Sequence, residues 1–161
     1  MKAFRLLAPV LVLALGACAY PYTDTTVHTG ACPSGVAEAT ASVDWATAKT
    51  LTFTIEEGGH VTPMSTHVFN EQPYVFKFTN TDTATHKLDD LDFYHDQAVA
   101  SVRVGDQTTE APCMWALSIP AETEGEIRFV ARKQGRYEFG DYPLLYVPHT
   151  RGVTTFVATV K

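Results

Sequence analysis

Positive charge is scarce in this chain. Twelve Lys and Arg stand against 18 Asp and Glu among 161 residues, for a formal net charge of −6. The basic residues are dispersed. No patch is ready to neutralise a phosphate backbone, so nucleic acid is excluded as a partner. Beyond the first 20 residues no apolar run is long enough to span a bilayer. Helical periodicity is missing between the extended segments, which excludes an α/β sheet of alternating strands and helices. No nucleophile, base and orienting group stand in a recognisable pattern, so no enzyme is expected. Cysteine is limited to Cys18, Cys32 and Cys113, and methionine after the first residue to Met64 and Met114.

What is present begins with an address. Lys2 and Arg5 precede an apolar run from Leu6 to Leu15, and small residues follow. This is the pattern of a secretory signal, and the run is too short for a permanent membrane span. Leu15–Gly16–Ala17–Cys18 resembles a bacterial lipobox, in which the cysteine is lipidated and becomes the new N-terminus. The competing reading is cleavage after Ala17–Cys18–Ala19, a small-x-small site. The lipobox resemblance implies an anchor in the membrane through acyl chains on Cys18. Ala19 stands where an inner-membrane retention signal has aspartate, which implies the outer membrane, facing the periplasm.

With residues 1–18 set aside as signal and lipobox, 143 residues remain, enough for one domain with a core. Export permits disulfides. Cys32 and Cys113 then have one possible pairing, which staples the N-terminal segment onto the domain. Closing so long a loop contributes about 4–5 kcal/mol in the chain-entropy model. The alternative leaves Cys113 as a thiol ligand beside Met114. With the disulfide formed, Met114 packs against Trp115.

Residues 19–49 read as a tether and loosely structured lead-in, rich in Thr, Gly and Pro, with a short helical turn over Val36–Ala41. His28 in this stretch has no evident role. From Thr50 the apolar period becomes two. Leu51, Phe53 and Ile55 alternate with Thr52, Thr54 and Glu56, Tyr74, Phe76 and Phe78 with Val75, Lys77 and Thr79, and Ile127, Phe129 and Ala131 with Arg128 and Val130. Shorter strands are expected over Val99–Val104, Trp115–Ile119, Tyr137–Phe139 and Phe156–Val160. Phe53, Phe76, Phe78, Phe129 and Phe139 are candidate core. The expectation is an all-β, Greek-key β-sandwich over residues 50–161.

Several features in order give this segment a family likeness. Pro73–Tyr74–Val75–Phe76–Lys77–Phe78–Thr79–Asn80 is followed by His86. Much later comes Gly135–Arg136–Tyr137–Glu138–Phe139, and then His149 ahead of the last strand. The pattern resembles a cupredoxin-like domain. The resemblance implies that His86 stands as the first histidine ligand and His149 as the loop histidine. It also exposes two departures. Asp141 occupies the cysteine position and Val153 the methionine position, and the stretch from Asp141 to His149 is longer than the family's spacing. Without a thiolate there is no blue copper centre. Any copper held here has nitrogen and oxygen ligands, with a thioether as a possible addition.

Other residues offer replacements. His60, Met64 and His67 cluster within eight residues, and with His86, His149 and Asp141 they can form one extended metal face. Imidazoles suit copper as borderline ligands, and a thioether favours the reduced ion. The plainer reading makes the loop histidines ordinary polar residues and His86 a strand-end residue bonded to backbone. His95 lies in the acidic stretch Asp89–Asp96, which lacks the spacing of a calcium loop. That stretch reads as a solvated loop, with His95 and Asp92 as an alternative copper pair. Two functions are therefore expected. One is an envelope copper protein that holds or delivers the metal to or from a donor or acceptor protein. The other is a metal-free β-sandwich module that binds through its surface, with Tyr94, Tyr142 and Tyr146 as exposed aromatics.

Overall fold

The computed structural model describes residues 26–140 and 156–161. Strands dominate them: β1 (Val27–Thr29), β2 (Lys49–Ile55), β3 (Val61–Thr62), β4 (Ser65–Val68), β5 (Pro73–Asn80), β6 (His86–Asp89), β7 (Ala98–Val104), β8 (Gln107–Glu110), β9 (Met114–Ile119), β10 (Glu124–Val130), β11 (Gly135–Phe139) and β12 (Phe156–Val160). Two short helices, α1 (Val36–Thr40) and α2 (Leu91–Asp96), interrupt them.

The period-two segments become the middle of the main sheet, whose order is β3-β2-β5-β10-β7-β8. β2 and β5 run parallel, and β5, β10 and β7 are antiparallel neighbours. Tyr74, Phe76 and Phe78 point inward, while Lys77 and Thr79 face outward. The opposite layer has two pieces, β1-β9-β6 and β11-β12-β4. A bridge between Asp89 and Gly140 joins them. The result is a β-sandwich, and the core lies between the layers. Phe53, Phe76, Phe78, Phe129 and Phe139 are all buried there, as their alternation predicts.

The lead-in differs from its expectation. Val27–Thr29 is a strand paired to β9, with Val27 opposite Leu117 and Thr29 opposite Met114. Cys32 and Cys113 form the disulfide, 81 residues apart in sequence, and the Gly30 N–H donates to the Cys113 carbonyl at 2.8 Å. The staple therefore fastens a sheet strand, not a loose tether. Val36–Thr40 forms the expected helical turn.

The acidic stretch also differs. Asp89 ends β6, and Asp90 caps α2 by accepting the Phe93 N–H at 2.8 Å. Phe93 and Tyr94 are buried, and the Tyr94 hydroxyl donates to the Leu88 carbonyl at 3.0 Å. Tyr94 is therefore a core residue rather than an interface aromatic. Met114 is likewise a member of the core cluster. Tyr142 and Tyr146 lie outside the described residues.

Phe93 is the hub of the aromatic core. Its ring centre lies 5.0 Å from Phe129 and 6.3 Å from Phe76 in the main sheet, and 4.8 Å from Phe139 and 5.8 Å from Tyr137 in the facing layer. Phe93→Ala removes these contacts and leaves a cavity. It is expected to destabilise the protein by about 3–5 kcal/mol, read from urea or guanidinium unfolding.

The cap that positions α2 carries an electrostatic penalty. Burial pushes the Asp90 carboxyl up to about 6 from 3.8, and the neighbouring Asp92 charge adds to the shift. The folded state then holds this proton more tightly than the unfolded chain does. Stability from this group falls as pH rises from about 3.8 to about 6. Asp90→Asn keeps a capping oxygen and removes the charge. The variant is expected to melt above the wild type near neutral pH. Melts repeated in acid are expected to show that gap closing as pH falls below about 3.8.

Candidate functional site

His86 lies at the end of the sandwich where β5 stops and β6 begins. Asn80, the last residue of β5, is buried and organises the turn. Its amide nitrogen donates to the carbonyls of Ala84 at 2.8 Å, Pro120 at 2.9 Å and Ile119 at 3.0 Å. Its oxygen accepts the Asp82 N–H at 3.0 Å. One side chain thus closes two loops.

His86 opens β6 opposite Ile119 and is buried. Its Nε2 lies 2.9 Å from the Asp82 carboxylate. The same Asp82 oxygen accepts the Gly58 N–H at 3.0 Å. Gly58 has φ 77, in the left-handed region that glycine enters without strain, and this sets the short turn Glu57–Gly59 against the 80–86 loop. The His86 hydrogen bond foremost, helped by the Gly58 and Thr83 amides, holds the Asp82 carboxyl below its ordinary range against the upward push of burial. His86 was legible from the strand and asparagine before it. Asp82 was not singled out, although a carboxylate four residues ahead of a histidine in a tight turn was the available signal.

The other candidates do not join His86 in a donor group among the described residues. His60 follows the Gly59 turn and is exposed. Met64 is 69 % exposed, just after the cis Thr62–Pro63 bond. His67 stands on the solvent side of β4, opposite Thr159 of β12. His95 pairs with Asp96, not Asp92, and lies toward the opposite end, beside Lys133. Asp141, His149 and Cys18 lie outside the described residues. Among the described residues no three His, Cys, Asp or Glu side chains are grouped to hold a metal ion. The described residues therefore do not fit a copper centre by themselves.

Two clusters escaped the sequence reading. His28 is not incidental: its Nε2 lies 2.8 Å from the Ser118 hydroxyl, and its ring centre is 5.2 Å from Trp115. Lys87 sits over the same Trp115 ring and also pairs with Asp89 at 3.1 Å. On the outer face of the main sheet, buried Glu126 is ringed by Arg128 at 2.7 Å, Arg103 at 3.3 Å and Lys77 at 3.9 Å. Burial pushes the Glu126 carboxyl up, and Arg128 and Arg103 outweigh it and hold it low. Cross-strand register brings these charges together, because Glu126 lies opposite both Lys77 and Arg103.

No protein-family model matches the chain, and no curated protein matches its sequence. Solved structures do match its shape. The multi-copper oxidase from Pediococcus acidilactici aligns with a TM-score of 0.53 at 12 % identity, over 74 % of this chain and 27 % of that one. Auracyanin B aligns at 0.50 and 12 % identity, over 84 % of this chain and 99 % of that one. A multi-copper oxidase from Pseudomonas thermotolerans aligns at 0.51 and 15 % identity, over 73 % and 31 %. The fold is a cupredoxin-like β-sandwich. At these identities the likeness is one of fold alone, and the chain spans 27 % of the Pediococcus oxidase's length.

The Asp82 carboxylate is predicted to matter for stability in a pH-dependent way. A carboxyl held low in the folded state stabilises it above the ordinary carboxylate range and loses that contribution as pH falls below about 3.8. Asp82→Asn is expected to lower stability at neutral pH, with the deficit shrinking in acid. Denaturant unfolding at neutral and acid pH measures it. A deficit equal at both would contradict the role given to the charge.

Proposed function

We propose that the chain is an envelope-anchored binding module that keeps a cupredoxin-like scaffold and works through its surface rather than through copper or catalysis. The observation that carries this reading is that the described donors do not come together as a metal-holding group. His60 and Met64 stand exposed on one connection, His67 faces outward from β4, and His86 is bonded to Asp82. Hydrogen bonds through Asn80 and Asp82 tie together the loops at the His86 end of the sandwich. A shared fold leaves function open.

A second reading keeps the metal. In it His86, His149 and Asp141, with His60, Met64 or His67, hold copper in a non-blue site and exchange it with a donor or acceptor protein. Two observations favour it. A carboxylate bonded to one imidazole nitrogen is also how metal-binding histidines are oriented. In addition, Gly140 is bridged to Asp89, three residues along β6 from His86.

Copper titration of the mature domain against a competing chelator separates the two. The expected result is no complex tighter than that of the His86→Ala, His149→Ala double variant, with circular dichroism confirming that the variant folds. A stoichiometric, histidine-dependent complex without strong blue absorption would overturn the proposal in favour of the second reading.

A further inference from the structure

We infer that the end of the sandwich carrying Asp82 and His86 faces the membrane. The inference rests on the envelope-anchored part of the proposed function, with Cys18 as the anchor. Its basis is where the chain enters the fold. The Thr26 carbonyl accepts the Ser118 N–H at 2.8 Å, and Val27 lies opposite Leu117. Ser118 in turn lies opposite Lys87, and Ile119 opposite His86. The chain therefore joins the sheet two strands away from His86 and one residue pair from its register. At ordinary strand spacing that is about 10 Å.

The leash is short. Eight residue steps separate Cys18 from Thr26, and whatever their conformation they reach no further than about 28 Å. The entry point is also fixed. β1 runs from it away from His86, and the Cys32–Cys113 disulfide fastens the chain just beyond the far end of β1. Pairing of β1 with β9 holds the entry point, and even a peeled β1 lengthens the leash no further than Cys32, where the disulfide stops it. β5 runs in the opposite sense, so Gln72 and Pro73 lie a strand length further from the entry point, roughly 24 Å.

Charge sets how this end meets the bilayer. Residues 56–66, 81–86 and 119–123 contain no Lys or Arg, whereas Glu56, Glu57 and Glu122 are exposed. Among the described residues, this part of the face is repelled by anionic headgroups and stands off at leash distance rather than lying among them. A protein partner of this end meets it from the membrane side.

The test uses the full chain, acylated at Cys18 and reconstituted in vesicles of phosphatidylethanolamine and phosphatidylglycerol with an acceptor lipid. A donor dye is placed at Ala84→Cys, beside the Asp82–His86 turn, or at Gln72→Cys, at the opposite end. Transfer from the first label is expected to exceed transfer from the second by about a factor of two, given a strand length between them. A Gly/Ser insertion after Ala19 as long as the leash is expected to bring the two signals together. Equal transfer in the acylated, uninserted chain overturns the orientation and leaves the surface-binding reading standing. An unacylated Cys18, read from the mass of the N-terminal peptide, removes the anchor and overturns the inference with its premise.

Discussion

The packing of Phe93 is the constraint on which this sandwich depends. Its ring touches both layers at once, with Phe76 and Phe129 on one side and Tyr137 and Phe139 on the other. It reaches that place because α2 lifts it off the end of β6, and α2 is only Leu91–Asp96. A helix so short has no stability of its own. Two things hold it: the Asp90 cap at its start and the burial of Phe93 and Tyr94 along its inner face. They pull against each other at Asp90, where burial of the core edge raises the energy of the charge that makes the cap. The aromatic contacts decide the balance. A fully buried phenylalanine contributes a few kcal/mol, while a capping bond contributes about 1 kcal/mol.

Where the apolar period ran for about five residues, the strand was legible. β2, β5 and β10 were all anticipated, with their inward faces correct. What escaped was short or polar. Val27–Thr29 offers one apolar residue, and His86–Asp89 offers only two inward positions. Gln107–Glu110 is exposed throughout and owes its place to a tight hairpin at Gly105, whose φ is 55. α2 is under two turns long, so helical periodicity never accumulates, and its aspartates suggested a solvated loop. Asp90 three residues ahead of Phe93 is an N-cap spacing, but it becomes persuasive only once the aromatic pair behind it is known to be buried.

The same limit applied at the site. Asn80 and His86 were found through a resemblance in order and spacing, and the structure places both at one end of the sandwich. Asp82 and Gly58 could not be found that way, because their contact joins residues 24 apart and depends on a left-handed glycine. Glu126 and its three cations come together only through register across β5, β10 and β7. His28 and Trp115 meet only because β1 pairs with β9. In each case the missing information was tertiary, and local sequence pattern had no means of carrying it.

Among the described residues, side chains tie together the loops at the His86 end of the sandwich. Asn80 shares its amide protons among three carbonyls from two loops, and Asp82 draws the Glu57–Gly59 turn and His86 to a single oxygen. Buried groups with this many partners hold their positions firmly, since losing any one partner strands a polar atom away from water. A loop end closed in this way keeps its shape without a metal.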